Sequence, residues 1–177
     1  MKSIRQDYLL VDGYNIINAW PELIALKDDL EYARDKLIEI MAHYGAFRDY
    51  KVIVVFDAHF SAGGEVERKV VRGLTVVYTE EGETADSFIE KKAYALVRYG
   101  EKVFVATSDC AEQMLVLGAG AFRMSARELL RDVKRINKAI GDRYTENIQS
   151  YRRHELENRL NDDVVKRLDD IRHGRLK

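Results

Sequence analysis

Four apolar runs dictate the kind of fold this chain can adopt. DYLLVD (7–12), KVIVVFD (51–57), LTVVYT (74–79) and KVFVATSD (102–109) are rich in β-branched residues and nearly continuous in apolar character rather than alternating. An alternating run hides one face, whereas a continuous one hides two, which marks strands inside a parallel sheet covered on both sides. The stretches between them supply the cover. Leu30, Ala33, Leu37, Ile40, Met41 and Tyr44 recur at helical spacing through 28–49, and Ala85, Phe88, Ile89, Lys92, Ala93 and Leu96 through 84–99. Strand and helix alternate. The expected fold is therefore α/β, a three-layer α/β/α sandwich with a mainly parallel central sheet, right-handed crossovers and C-terminal helices.

Residues 59–73 interrupt that rhythm: Gly63 and Gly64 mark a flexible loop, and EVERKVVRG reads as either a short strand or an arm. AFRMS (121–125) reads as a short edge strand. Ser125 followed three positions later by Glu128 is a capping box that opens a helix expected to run to about Ile140. Beyond it the tail is helical in pattern and highly charged, with an apolar stripe at Leu156, Leu160, Val164, Leu168 and Ile171. A length of 177 residues suits one such domain, taken as 1–150, with a charged helical extension at 151–177.

With 46% hydrophobic and 33% charged residues and a single proline, the chain is globular rather than disordered or collagenous. The single cysteine, Cys110, cannot form an internal disulfide, which points to a reducing compartment. No apolar stretch reaches the roughly 20 residues of a spanning helix, and MKSIRQD leads into a strand rather than a signal-peptide core. A cytoplasmic protein with no membrane partner is expected. The net charge of -1 conceals a gradient: from Phe122 onward there are 15 Lys/Arg against 10 Asp/Glu, leaving 14 against 20 before it. An acidic site beside a basic surface suits a metal-dependent enzyme that acts on a polyanion.

The strand ends sharpen that idea. Three of the four runs close on aspartate: Asp12, Asp57 and Asp109. In an open parallel sheet the C-terminal strand ends share one edge, where ligand crevices form. Asp86, in GETADSFIE, falls in the first turn of the helix after the third run and starts from that same edge. Each acid alone has a structural explanation as a turn residue or a helix cap. Four together do not, because clustered carboxylates repel unless a cation lies between them. Mg²⁺ or Mn²⁺ is the natural occupant, a hard ion that takes oxygen ligands and favours phosphodiester hydrolysis. The four histidines are scattered and show no zinc spacing. Position 14 is Tyr14, not the second aspartate of a dehalogenase-type phosphatase, and neither G-x-G-x-x-G, a Walker loop nor a G-x-S-x-G elbow is present.

LLVDGYNIINAW, VVFDAH, GETADSFIE and VATSD, in that order and separation, resemble the NYN domain, specifically its YacP-like branch within the PIN-like nucleases. The resemblance covers roughly residues 7–150 by motif placement. It implies a metal-dependent endoribonuclease that cuts single-stranded messenger RNA in association with translating ribosomes. Carried over motif by motif, Asp12 is the first metal ligand, Asp86 the helix-borne ligand and Asp109 the ligand at the fourth strand end. Asp57 completes the pocket, Asn15 orients Asp12 or a phosphate, and Ser108 does likewise or caps a helix. Glu83 and Glu90 stand around the helix motif. Phosphates would be met by Arg68, Lys69 and Arg72, and from the C-terminal half by Arg123, Arg127, Arg131, Lys134, Arg135, Lys138, Arg152 and Arg153. Tyr14, Trp20, His59 and Tyr151 are candidates for stacking on bases, the first two better suited to packing near the first strand. The rival reading is a non-catalytic RNA- or ribosome-binding protein that keeps the fold; the retention of all four acids favours the enzyme.

Overall fold

Leu9, Leu10 and Val11 are all fully buried, so the first run needs cover on both faces and lies at the centre of the sheet. It forms β1 (Asp7–Asp12) in the computed structural model, which describes residues 7–57, 67–109, 118 and 120–159. There follow α1 (Gly13–Ala19), α2 (Pro21–Ile24), α3 (Leu30–Arg48), β2 (Tyr50–Phe56), β3 (Glu67–Val71), β4 (Leu74–Tyr78), α4 (Ala85–Arg98), β5 (Lys102–Thr107), β6 (Phe122–Ser125) and α5 (Ala126–Arg159).

The strands lie in the order β3-β4-β2-β1-β5-β6, and every neighbouring pair is parallel except β3 with β4. The mainly parallel sheet expected from the continuous apolar runs is thus present. The chain builds outward from β1 through β2 and β4, then crosses back to set β5 and β6 on the other side. The order reverses between β1 and β5, which opens a crevice at their C-terminal ends.

Alternate residues serve the two faces. Leu10, Ile53, Val55, Val77, Val103 and Val105 pack with Ala85, Ile89, Ala93 and Leu96 of α4. On the opposite side α1 lies along β1, β2 and β5, and α3 along β2 and β4, with Gly45 of α3 against Val52. α3 and α4 begin on the caps their sequences provide: Asp29 accepts from Tyr32 N–H at 3.0 Å and Thr84 from Ser87 N–H at 3.2 Å. EVERKVVRG carries a strand at its centre: Glu67–Val71 pairs antiparallel with β4 through a two-residue turn at Arg72 and Gly73, with φ of 50° and 84°. Two positive φ values make a turn whose twist matches the strands it joins.

The expected edge strand and capping box are both present. β6 pairs with β5, Ser125 N–H donates to Glu128 Oε2 at 2.7 Å, and Glu128 N–H donates to Ser125 Oγ at 3.2 Å. α5 then continues past Ile140 to Arg159, because 141–159 has no proline and its single glycine, Gly141, costs only about 1 kcal/mol in a helix. Its first turns are tied to the α3 side. Asp132 accepts from Tyr44 Oη at 2.7 Å, from Arg48 Nε at 3.0 Å, and also from Arg48 Nη2. The chain divides into two compact units, Met1–Lys134 and Arg135–Lys177. The apolar stripe from Leu156 to Ile171 lies outside the described side chains. Among the described residues no helix is long and apolar enough to cross a membrane.

Candidate active site

β1 does not turn at its end. Asp12 passes the backbone directly into α1 and serves as its N-cap, its Oδ1 accepting the Asn15 N–H at 3.1 Å. The Asp-Gly pair, a turn signal in the sequence, is a strand-to-helix junction. Glycine is required at position 13 because a Cβ there would enter the van der Waals envelope of the Phe56 ring. That ring is fully buried and held between Tyr14, edge-on at 5.1 Å, and Tyr78, stacked at 5.5 Å, so it has no room to retreat. Gly13→Ala is therefore expected to cost about 1–3 kcal/mol through overpacking. Urea unfolding checks this, and an unchanged midpoint would mean that Phe56 moves aside.

Asp12 is 7% exposed, the lowest of any charged side chain among the described residues. Its carboxyl is pushed up to about 7, first by burial, then by the Asp86 charge and a hydrogen bond with Asp86, and by the Asp57 charge; the Asn15 N–H opposes the shift. Asp86 stands in the first turn of α4 behind the Thr84 cap, and Asp57 directly follows β2. The fold thus brings three of the four sequence-nominated acids into one field, with Asp12 and Asp86 in contact. The fourth, Asp109, lies two residues past β5, exposed, its N–H donating to the buried Thr107 Oγ1 at 3.1 Å. Among the described residues, no three carboxylate, imidazole or thiol side chains are gathered tightly enough to enclose a cation.

Asn15 spans the crevice between β1 and β5. Its Oδ1 accepts the Ser108 N–H at 2.8 Å and also the Ser108 hydroxyl. A backbone N–H can only donate, which fixes the amide's orientation and leaves Nδ2 as the donor for a ligand. Asn15 therefore holds Asp12 with its backbone and the end of β5 with its side chain. The helix that Ser108 was expected to cap would begin in 110–117, outside the described residues.

The other nominated residues are dispersed. Glu83 is paired with Lys91 at 2.8 Å, and Glu90 is exposed on α4. Arg72 sits in the β3–β4 turn, at the edge where the parallel strands begin, opposite the acids, and lies 3.9 Å from Glu39. Lys134 lies 3.5 Å from Glu22. α5 starts from the C-terminal end of β6, so Arg127 and Arg131, both exposed, leave from the acid edge. Arg135 is exposed in the second compact unit. The side chains of Arg68, Lys69, Tyr151 and Arg153, and all of His59, lie outside the described residues. Trp20 is 1% exposed and donates its indole N–H to Ala126 O at 2.8 Å, so it packs rather than meeting bases.

One cation at this edge had no signal in the sequence. Arg34, half-buried in the first turns of α3, donates from Nη1 to Tyr14 Oη at 2.9 Å, and its guanidinium carbon lies 6.0 Å from the Tyr78 ring centroid. In the sequence it is only a polar residue beside the apolar stripe of Ala33 and Leu37. Its partners come from two other elements, brought to it by the sheet.

A mainly parallel α/β/α sandwich with carboxylates at the switch point of its strands defines the PIN-like class. The chain belongs to the YacP-like NYN domain family, whose model matches residues 9–173. The Bacillus subtilis protein YacP is 50% identical over 135 residues, 76% of this chain and 79% of that protein. The crystal structure of Rae1 (YacP) from Bacillus subtilis is similar with a TM-score of 0.71 at 44% identity, covering 97% of both chains. A tryptophan-to-leucine variant of Rae1 gives 0.69 at 47% identity over 80% of this chain and 83% of that one.

Proposed function

We propose that this protein is a cytoplasmic, metal-dependent endoribonuclease that hydrolyses phosphodiester bonds in single-stranded messenger RNA in association with translating ribosomes. The observation that carries the reading is the contact of Asp12, buried at the end of β1 beside the strand-order reversal, with Asp86 of α4, within reach of the Asp57 charge. Membership of a PIN-like nuclease family supports it.

The donors at this edge are all oxygen: the carboxyls of Asp12, Asp86, Asp57 and Asp109. That set fits a hard divalent ion such as Mg²⁺ or Mn²⁺, with Asp12, Asp86 and Asp109 as the residues to hold it. When bound, such an ion supplies Lewis-acid polarisation of the scissile phosphate and acidifies the attacking water. The chain's own groups do the rest. Asp57, whose charge reaches Asp12 from the end of β2, takes the proton from the attacking water in this reading. Asn15 Nδ2 donates to a non-bridging phosphate oxygen, its orientation set by Ser108. Phe56, packed against Gly13 and Tyr14, fixes the strand-to-helix junction that carries Asp12.

The deciding experiment incubates the purified protein with end-labelled RNA and Mn²⁺, with and without ribosomes, beside a chelator control. Metal-dependent internal cuts support the reading. Salt-sensitive RNA retention with no cuts under any of these conditions would instead establish the non-catalytic binder.

A further inference from the structure

Several described cations are paired with carboxylates: Arg48 with Asp132, Lys91 with Glu83, Arg72 with Glu39 and Lys134 with Glu22. Arg34 differs. It hydrogen-bonds a phenol and faces an aromatic ring, and it forms no ion pair with any described residue; Glu31, exposed one turn earlier on α3, adds only its field. A phenol and a ring orient a guanidinium without cancelling its charge. Of its five N–H donors, one goes to Tyr14 Oη.

Its position makes that charge useful. α3 ends where β2 begins, at Tyr50, so its first turns lie at the opposite edge, where β1, β2 and β4 finish. Tyr14 is two residues after Asp12, and Tyr78 is the last residue of β4, paired with Phe56 at the end of β2. β4 stands two strands from β1, about 10 Å away at the usual inter-strand spacing. A chain of phosphates whose scissile member sits at Asp12 and Asp86 and which runs across the ends of β2 and β4 brings a flanking phosphate to Arg34.

We propose that Arg34, oriented by Tyr14 and Tyr78, is a substrate-positioning residue that grips a backbone phosphate flanking the scissile one, and so sets the strand's path along the sheet edge from β1 towards β4. The contact rests on the RNA reading above and adds the direction in which the strand leaves the acids. A planar fork presented on an aromatic ring suits two non-bridging oxygens, and it reads no base, so it works on any sequence.

Binding of a short labelled oligouridylate to the full chain is measured in chelator, which prevents cleavage, over a series of salt concentrations. Arg34→Gln keeps a donor for Tyr14 Oη and removes the charge. It is expected to weaken binding about fivefold and to reduce the slope of log affinity against log salt by about 0.7, the value of one single-strand phosphate contact. Arg34→Lys keeps the charge and is expected to retain the slope with reduced affinity. Tyr14→Phe is expected to behave like Arg34→Lys. If Arg34→Gln keeps the wild-type slope, the phosphate contact is overturned, whether affinity is unchanged or falls equally at all salts, as loosening of α1 alone would cause. If the wild-type chain shows no salt-dependent binding of the oligouridylate, the RNA reading falls and this inference with it.

Discussion

Asp12→Asn is expected to abolish nearly all cleavage while making the metal-free protein more stable. Loss of one ligand removes several kcal/mol of charge stabilisation in the transition state, which corresponds to a rate loss of about 10³-fold. The gain in stability follows from the proton count. In the unfolded chain Asp12 titrates near 3.8, and in the folded chain at about 7. Between those values the folded state holds a proton that the unfolded state has released, so stability falls as pH rises from about 4 to about 7 and stays low above it. Asparagine has nothing to lose, and its NH2 can donate to Asp86 as the protonated acid does. At pH 8 in chelator the variant is expected to melt roughly 4–10 °C above the wild type, while at pH 4 the two converge. Adding Mn²⁺ should raise the wild-type melting temperature and leave the variant's unmoved. An Mn²⁺ shift that persists in Asp12→Asn would remove Asp12 from the metal site.

Trp20→Ala is expected to be the most destabilising single change, about 3–5 kcal/mol. The indole is the largest fully buried side chain among the described residues, and its N–H is the donor to the carbonyl of Ala126, the first residue of α5. The truncation opens a cavity and leaves that carbonyl without its partner. Trp20→Phe restores most of the volume but not the donor, so denaturant midpoints of the two variants separate packing from hydrogen bonding. If Trp20→Phe is as damaging as Trp20→Ala, the hydrogen bond is the larger part.

The strands were readable because burial on both faces writes itself as an uninterrupted apolar run, and a run needs no partner to be seen. The acids were readable for a related reason: a parallel sheet sends every strand's C-terminus to one edge, so Asp12 and Asp57 follow from the strands, and Asp86 from the first turn of α4. α1 was missed because Asp-Gly followed by six helical residues is locally indistinguishable from a turn; what decides is the Phe56 ring pressed against Gly13 from β2. The extent of α5 was underestimated because Gly141, just after Ile140, has the local form of a helix end, and the helix runs through it. Arg34 was invisible for the strongest reason. Its role depends on Tyr14 and Tyr78, which are 20 and 44 positions away and meet it only once the sheet exists.

The hydrogen bonds from Ser108 to Asn15 join positions 93 residues apart, and they tie down the strand-to-helix junction that carries Asp12. A chain emerging from the ribosome therefore carries Asp12, Asp57 and Asp86 well before it can brace them, since β5 must first insert beside β1. The acids come early and their alignment comes late, so a nascent copy of this protein is born without a working edge and acquires one only after Ser108 has been made.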